Sequence, residues 1–274
     1  MDLNTIESIR MPRTRSDLTV ARGEAFLGGG SWLFSEPQTA LRSLVDLTAL
    51  GWTPLETSAS GLRIAATCTL ADLSRMPNEQ NWEAHSLFRQ CCTALLGSFK
   101  VWNVATVGGN IALALPAGPM TALAVALDAT MLVWTPTGDV TYPARDFVTG
   151  VQSTRLAPGD VLRAIDIPLH ALSARTAYRQ ISLRPVGRSG ALVIGRLDAD
   201  GRFTLVVTAA TPRPYSFSFD RMPSAEHLHA RLGGLDDWYD DPHGAPDWRR
   251  AMTRDLAEEI RAELESPSHE TGIA

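Results

Sequence analysis

Cysteine is scarce in this chain. Only Cys68, Cys91 and Cys92 occur among 274 residues, two of them adjacent and none in a C-x-x-C pair. An odd number without that spacing excludes a disulfide framework and a zinc or iron–sulfur cradle. It fits a reducing, cytoplasmic setting. No excess of positive charge exists either, since 25 basic side chains face 30 acidic ones for a net charge of −5. A nucleic-acid partner, which calls for a basic face, is not expected. Long apolar runs are also missing. The best stretch, residues 111–134, is interrupted by Pro116, Gly118, Pro119 and Asp128 and is not a membrane span. Residues 1–15 have no apolar segment of the kind a signal peptide carries.

What is present is an ordinary globular composition, 45% hydrophobic and 20% charged. At roughly 100–200 residues per domain, the length implies two domains or one large one. Along the chain, Ala25–Leu27 reads as a buried strand that ends abruptly in Gly28–Gly29–Gly30–Ser31. Residues 39–50 suit either a short helix or a strand. Residues 62–66 read as a strand, with Thr69 as N-cap of a helix holding Leu70 and Leu73. The spacing of Leu87, Phe88, Cys91, Leu95 and Leu96 predicts a helix over 81–99, and 120–127 a second. Residues 104–110 read as a second glycine turn, and 129–134 with 140–142 as a hairpin. Residues 161–167 alternate as a strand should. Beyond a boundary near 168–175, residues 177–183, 191–197 and 203–209 are three further strands, and 247–264 is a charged amphipathic helix. Mixed strand and helix order makes the class α+β and not a doubly wound parallel sheet.

The two glycine stretches carry the chemistry. Successive glycines offer backbone N–H groups with no Cβ in the way, and converging N–H dipoles bind anionic oxygens. Ser31, Thr106 and Asn110 can add side-chain hydrogen bonds. Neither stretch completes a familiar signature. Leu33 stands where a dinucleotide fingerprint needs its third glycine, and no Gly-Lys-Ser/Thr occurs. Taken alone, both loops read more readily as plain turns.

Read as full strings, FLGGGSWL (26–33), WNVATVGGNIALALPAG (102–118), FVTGVQSTRLAPGDVLRAIDIP (147–168) and YRQISLR (178–184) follow one order and spacing. They resemble the FAD-binding medium subunit of the molybdenum hydroxylases, the xanthine dehydrogenase and carbon monoxide dehydrogenase type. The resemblance covers nearly the whole chain and includes the tail at 241–264. It implies a two-subdomain FAD-binding fold of the vanillyl-alcohol oxidase type over 1–170, divided into about 1–55 and 56–170. A small C-terminal α+β domain with an antiparallel sheet would follow over 171–274. It further implies that Leu27, Gly28, Gly29, Gly30 and Ser31, with Thr106, Val107, Gly108, Gly109 and Asn110, wrap the FAD pyrophosphate. Trp32, beside the first loop, joins this set, although for it and Trp102 core packing is the default reading. Leu162 matches an apolar cofactor contact, and Arg179 a cation near the flavin or else a solvated charge.

The chain departs from the family pattern in three places. Trp102–Asn103 replace Arg-Asn, Pro119 stands where an aspartate is usual, and Ser189–Gly190 where an acidic residue is usual. In such a family, a molybdenum cofactor lies on a large subunit and [2Fe–2S] clusters on a small one. The FAD subunit passes electrons onward to an external acceptor and contributes no catalytic acid or base. Two alternatives are a stand-alone flavin oxidase or reductase and a structural subunit that has lost FAD.

Two side clusters carry less. His227 and His229, alternating on a presumed strand, lack a third metal ligand. Asp236, Asp237, Asp240 and Asp241 around Trp238–Tyr239 match no calcium-loop pattern and read as a solvated loop. No nucleophilic triad is recognisable.

Overall fold

Three short strands begin the chain: β1 (Ser8–Arg10), β2 (Glu24–Leu27) and β3 (Ser43–Asp46), in a computed structural model that describes residues 4–266. They form a parallel sheet with β3 in the centre. The ambiguous 39–50 stretch resolves into β3 followed by a single 3-10 turn, Leu47–Leu50. Asp46 is the switch point. Its carboxylate accepts the Thr48 amide at 2.9 Å, which caps the turn and stops the strand.

β4 (Leu55–Ser58) and β5 (Gly61–Ala65) follow as a hairpin. Thr69 then caps α1 (Leu70–Ser74), as its position before Leu70 and Leu73 implied. The stretch at 81–99 yields α2 (Ser86–Ala94), which is shorter than its apolar spacing predicts. Leu95 turns extended after it, and Gly97 and Ser98 lead into the separate turn α3 (Phe99–Trp102). α4 (Val107–Leu113) and α5 (Pro119–Ala126) complete the helical layer. All eight residues of α5 are buried. Pro119 occupies its first helical position, where a missing N–H costs nothing.

The chain returns through β6 (Thr130–Thr135) and β7 (Gly138–Pro143), the short α6 (Ala144–Phe147) and a ribbon, β8 (Val148–Gly150) with β9 (Ser153–Thr154). β10 (Val161–Pro168) enters the middle of a five-stranded antiparallel sheet ordered β4-β5-β10-β6-β7. Leu62, Ile64, Met131, Val133, Ile165 and Ile167 point from its inner face into a core shared with α1, α2 and α5.

After the turn α7 (Leu169–Leu172), a four-stranded antiparallel meander forms from β11 (Arg175–Ile181), β12 (Ala191–Leu197), β13 (Phe203–Thr208) and β14 (Tyr215–Phe219). α8 (Ala225–Gly233) and α9 (Pro246–Glu265) close the chain. The mixed class and the C-terminal antiparallel sheet agree with the expected α+β fold. β12 is apolar on both faces, which explains its unbroken run. Leu192 and Ile194 enter the core under α5, whereas Ala191 and Val193 enter a second core under α9. Gly195 has no side chain because Ile260 Cγ2 of α9 lies 2.3 Å from where its Cβ would stand.

His227 and His229 lie on the helix α8 and not on a strand, so a two-residue spacing turns them apart. His227 packs edge-on to Phe219, 5.2 Å between centroids. Asp237 accepts the Tyr215 hydroxyl at 2.6 Å, and Asp241 pairs with Arg249. Among the described residues, no group of three or more His, Cys, Asp or Glu side chains could hold a metal. Nor is any described helix long and apolar enough to cross a membrane.

Candidate functional site

A cleft of about 470 Å³ opens where β2 ends, at the carboxyl edge of the parallel sheet. The volume is in the range of small-molecule sites. The first glycine loop forms one wall, with Leu27, Gly28, Gly29, Gly30, Ser31 and Trp32 all lining it. Thr106, Gly109 and Asn110 line it from the second stretch. Leu95, Leu96, Leu113 and Leu115 supply apolar walls, and Arg188 reaches in from the loop after β11.

The first loop is bare for a measurable reason. A Cβ on Gly29 would stand 1.4 Å from the carbonyl oxygen of Val104, so the two glycine stretches touch through backbone. Gly30 takes φ +69°, a left-handed conformation suited to glycine. Among the described residues, the amides of Gly29, Gly30, Ser31 and Trp32 donate to no protein acceptor. Four consecutive N–H groups are thus free beside the cleft.

The second stretch is built differently. It is the first turn of α4 and not a turn of the kind expected from Gly108–Gly109. Thr106 caps that helix, its hydroxyl oxygen accepting the Gly109 amide at 3.0 Å. The Val107 amide donates to Cys68 O and the Gly108 amide to Ala66 O, both at 2.9 Å, while the Asn110 amide donates to Thr106 O at 3.0 Å. All four donors are consumed within the fold. Gly108 is required for packing, since its Cβ would meet Ala66 Cβ at 2.4 Å. Asn110 Oδ1 accepts the Met120 amide at 3.0 Å and so ties α4 to the start of α5. This stretch therefore shapes the cleft, and the first loop presents the donors.

Four residues named from the resemblance lie elsewhere. Val107 and Gly108 are buried behind the cleft wall. Leu162 sits in the core on β10, paired with Val133 beside a bulge. Arg179 points to the opposite face of its strand. Its Nε and Nη2 donate to Glu259 at 2.8 Å and Glu263 at 2.6 Å on α9. Burial pulls its pKa down, but these two carboxylates outweigh it and hold the guanidinium charged. Alternation along β11 explains the displacement, because Tyr178 faces the core under α5 and its neighbour must face α9. Trp102 stays with its own turn, donating Nε1 to Leu95 O at 3.3 Å.

Sequence reasoning missed Arg188. No motif marks it, yet it is the one charged side chain lining the cleft, and no carboxylate lines it. Free amides, a single cation and long apolar walls suit an anionic group attached to a large apolar body.

The model of a family described as the FAD binding domain in molybdopterin dehydrogenase matches residues 18–170, more than half of the chain. The chain belongs to this family. Both glycine stretches fall inside the matched FAD-binding region. A stretch of 121 residues is 30% identical to a xanthine dehydrogenase of Oryza sativa, covering 42% of this chain and 9% of that protein. Another of 92 residues is 30% identical to the glyceraldehyde dehydrogenase medium chain of Sulfolobus acidocaldarius, covering 34% and 32%. The chain thus matches less than a third of each relative's length.

Solved structures extend the likeness to the whole fold. A carbon monoxide dehydrogenase chain from Hydrogenophaga pseudoflava superposes with a TM-score of 0.81 at 20% identity, covering 95% of this chain and 97% of that one. A quinoline 2-oxidoreductase chain from Pseudomonas putida gives 0.79 at 19%, covering 97% and 100%. The mixed α+β fold expected from the sequence is therefore shared with these chains over nearly the whole length.

Proposed function

We propose that this chain is the FAD-holding electron-transfer subunit of a cytoplasmic molybdenum-containing hydroxylase or dehydrogenase. It would work beside an iron–sulfur small subunit and a molybdopterin large subunit, taking electrons from [2Fe–2S] clusters and delivering them to an external acceptor. Residues 1–170 would form the FAD-binding unit, with subdomains about 1–55 and 56–170, and 171–274 a C-terminal unit. The observation that carries this reading is the run of four unpartnered amides at Gly29–Trp32 in a cleft without carboxylates.

The residues fit the group. The Gly29–Trp32 amides would donate to the diphosphate oxygens, with Gly28 packed on Thr106 to hold the loop in place. Leu95, Leu113 and Leu115 would exclude water along the apolar part of the cofactor. Val107 and Gly108 would act from behind, by fixing α4. When bound, FAD supplies one- and two-electron redox chemistry that no side chain of this protein can supply. The need for partners follows from the three isolated cysteines, which cannot hold a cluster. It also follows from the Sulfolobus relative, whose designation as a medium chain implies companions.

The test is an absorbance spectrum of the purified chain, before and after addition of FAD and removal of the excess. Flavin bands that stay with the protein are expected. A colourless protein after FAD addition defeats the reading and favours the FAD-less structural subunit. Bleaching of bound flavin by a small substrate with no partner present favours the stand-alone oxidase or reductase.

A further inference from the structure

We infer that Arg188 is the counter-charge for the anionic group taken up by the cleft, and that the loop at 182–189 serves to present it. The inference rests on the flavin reading above and adds a residue that selects the ligand by charge.

Arg10, Arg63, Arg179, Arg196 and Arg249 each hold a carboxylate. Arg188 holds none: among the described residues it makes neither an ion pair nor a hydrogen bond, although it lines an otherwise uncharged cleft. The amides of Gly29–Trp32 contribute dipoles but no net charge. A diphosphate bound to them would carry negative charge into apolar surroundings, where a cation is worth more than in water. Arg188 is the one lining residue that can answer it.

The loop that carries Arg188 is fastened at its foot. It leaves β11 after Ile181 and closes where the Gly190 amide donates to Ile181 O at 2.8 Å. Within it, the Gly187 amide donates to Arg184 O at 2.9 Å and the Ser182 hydroxyl to the same oxygen at 2.5 Å. Gly190 O accepts from Arg249 Nη1 at 2.6 Å. Trp248 leaves no room beside it, since a Cβ on Gly190 would lie 2.4 Å from the indole. Ser189 is buried directly after Arg188. An exposed cation one residue from a buried anchor can swing toward a ligand while its backbone stays in place. This also gives physical content to the departure at Ser189–Gly190. Ser189 is buried and a side chain at 190 would run into Trp248, so small residues at these two positions allow the anchor.

The full chain and its Arg188→Gln, Arg188→Glu and Arg188→Lys variants are titrated with FAD, ADP and riboflavin at low and high salt by calorimetry. FAD and ADP share the diphosphate, and riboflavin has none. Arg188→Gln should weaken FAD and ADP about ten-fold, in keeping with a lost charged hydrogen bond. Arg188→Glu should weaken them further, and Arg188→Lys should restore most of the binding. Riboflavin binding should not change, and the salt dependence seen with the wild type should flatten in the Gln variant. Unaltered FAD affinity in Arg188→Glu overturns the inference, as does an equal loss for FAD and riboflavin. If the wild type takes ADP but not FAD, the flavin reading falls while the role of Arg188 is decided by the ADP series. If it takes neither, both fall. Unfolding midpoints of all four proteins should coincide, because Arg188 supports no contact in the fold.

Discussion

At Gly29 a single hydrogen atom separates two walls of the cleft. A Cβ there would sit 1.4 Å from the Val104 carbonyl oxygen, so Gly29→Val must push the first loop away from the α3–α4 connection. Flavin retention should be abolished, with a stability loss of about 1–3 kcal/mol from overpacking. Absorbance after gel filtration and urea unfolding measure the two effects, and a variant that keeps its flavin would remove the loop from the site. Residue identity was legible here because glycine clusters are rare enough to notice. What the clusters do was not legible. Gly28–Gly30 and Gly108–Gly109 look alike as text, but the first leaves the Gly29 and Gly30 amides free, and the second has Gly108 bonded to Ala66 O and Gly109 to the Thr106 hydroxyl. The Gly108 partner, Ala66, lies about 40 positions away in the chain, and no local pattern reveals it.

The elements were readable where one periodicity held without interruption. β10, β12, α5 and α9 lie close to where apolar alternation or helical spacing puts them. α2 ends early because Leu95 and Leu96 continue a helical spacing that the backbone abandons before Gly97. Those two leucines line the cleft, so the local rule fails next to the site. α8 was missed as a helix because its histidines alternate, and β14 because Pro212 and Pro214 precede it. Arg179 was misplaced by one step of strand alternation, an error that reverses which sheet face a side chain occupies. α9 also offers a test. Arg249, 1% exposed, donates to the carbonyl oxygens of Gly244, Gly190 and Ala209 and pairs with Asp241. Arg249→Met leaves Asp241 without its cation, though still bonded to the His243 amide, and takes the guanidinium donor from three buried carbonyl oxygens. A loss of about 3–5 kcal/mol in urea unfolding is expected. The 190 end of the Arg188 loop should also become cleavable by limited proteolysis. Stability close to the wild type would mean that the buried guanidinium is dispensable.

Across the whole molecule, pH stability is set on the alkaline side by buried thiols. Burial, helped by Asp72 and Cys92, pushes the Cys68 thiol from 9.0 up to about 12, and burial pushes Cys92 to about 12 as well. Cys91 is raised by burial and by Cys92, and Tyr178 by burial. In each case the fold holds the proton more tightly than the unfolded chain does. The stabilisation is therefore fully present below pH 9.0, the ordinary thiol value, and is lost as pH rises through about 12. Urea midpoints should be flat up to that lower limit and fall beyond it. Replacing Cys91 and Cys92 with alanine should lessen the slope, and an unchanged slope would assign the effect to other groups. On the acid side, Glu24 is held below its ordinary 4.5 by Arg10 and by the Ala21 amide, so its contribution disappears as pH falls through that lowered value.

β12 presents Leu192 and Ile194 to the core beneath α5, and Val193 to the core beneath α9. The sequence suggests a boundary near 168–175, but the packing crosses it: one strand is a party wall serving two rooms. Removal of everything after residue 170 would leave α5 with a naked flank where Leu192, Ile194 and Val206 had covered it. The truncated chain should aggregate, and the intact protein should melt in one calorimetric transition with equal calorimetric and van't Hoff enthalpies. Two resolved transitions would show that the halves stand alone. If they do not, then uptake of FAD in the cleft raises the melting temperature of the whole, and the C-terminal sheet, which reaches that cleft through its Arg188 loop, becomes a thermometer for the cofactor.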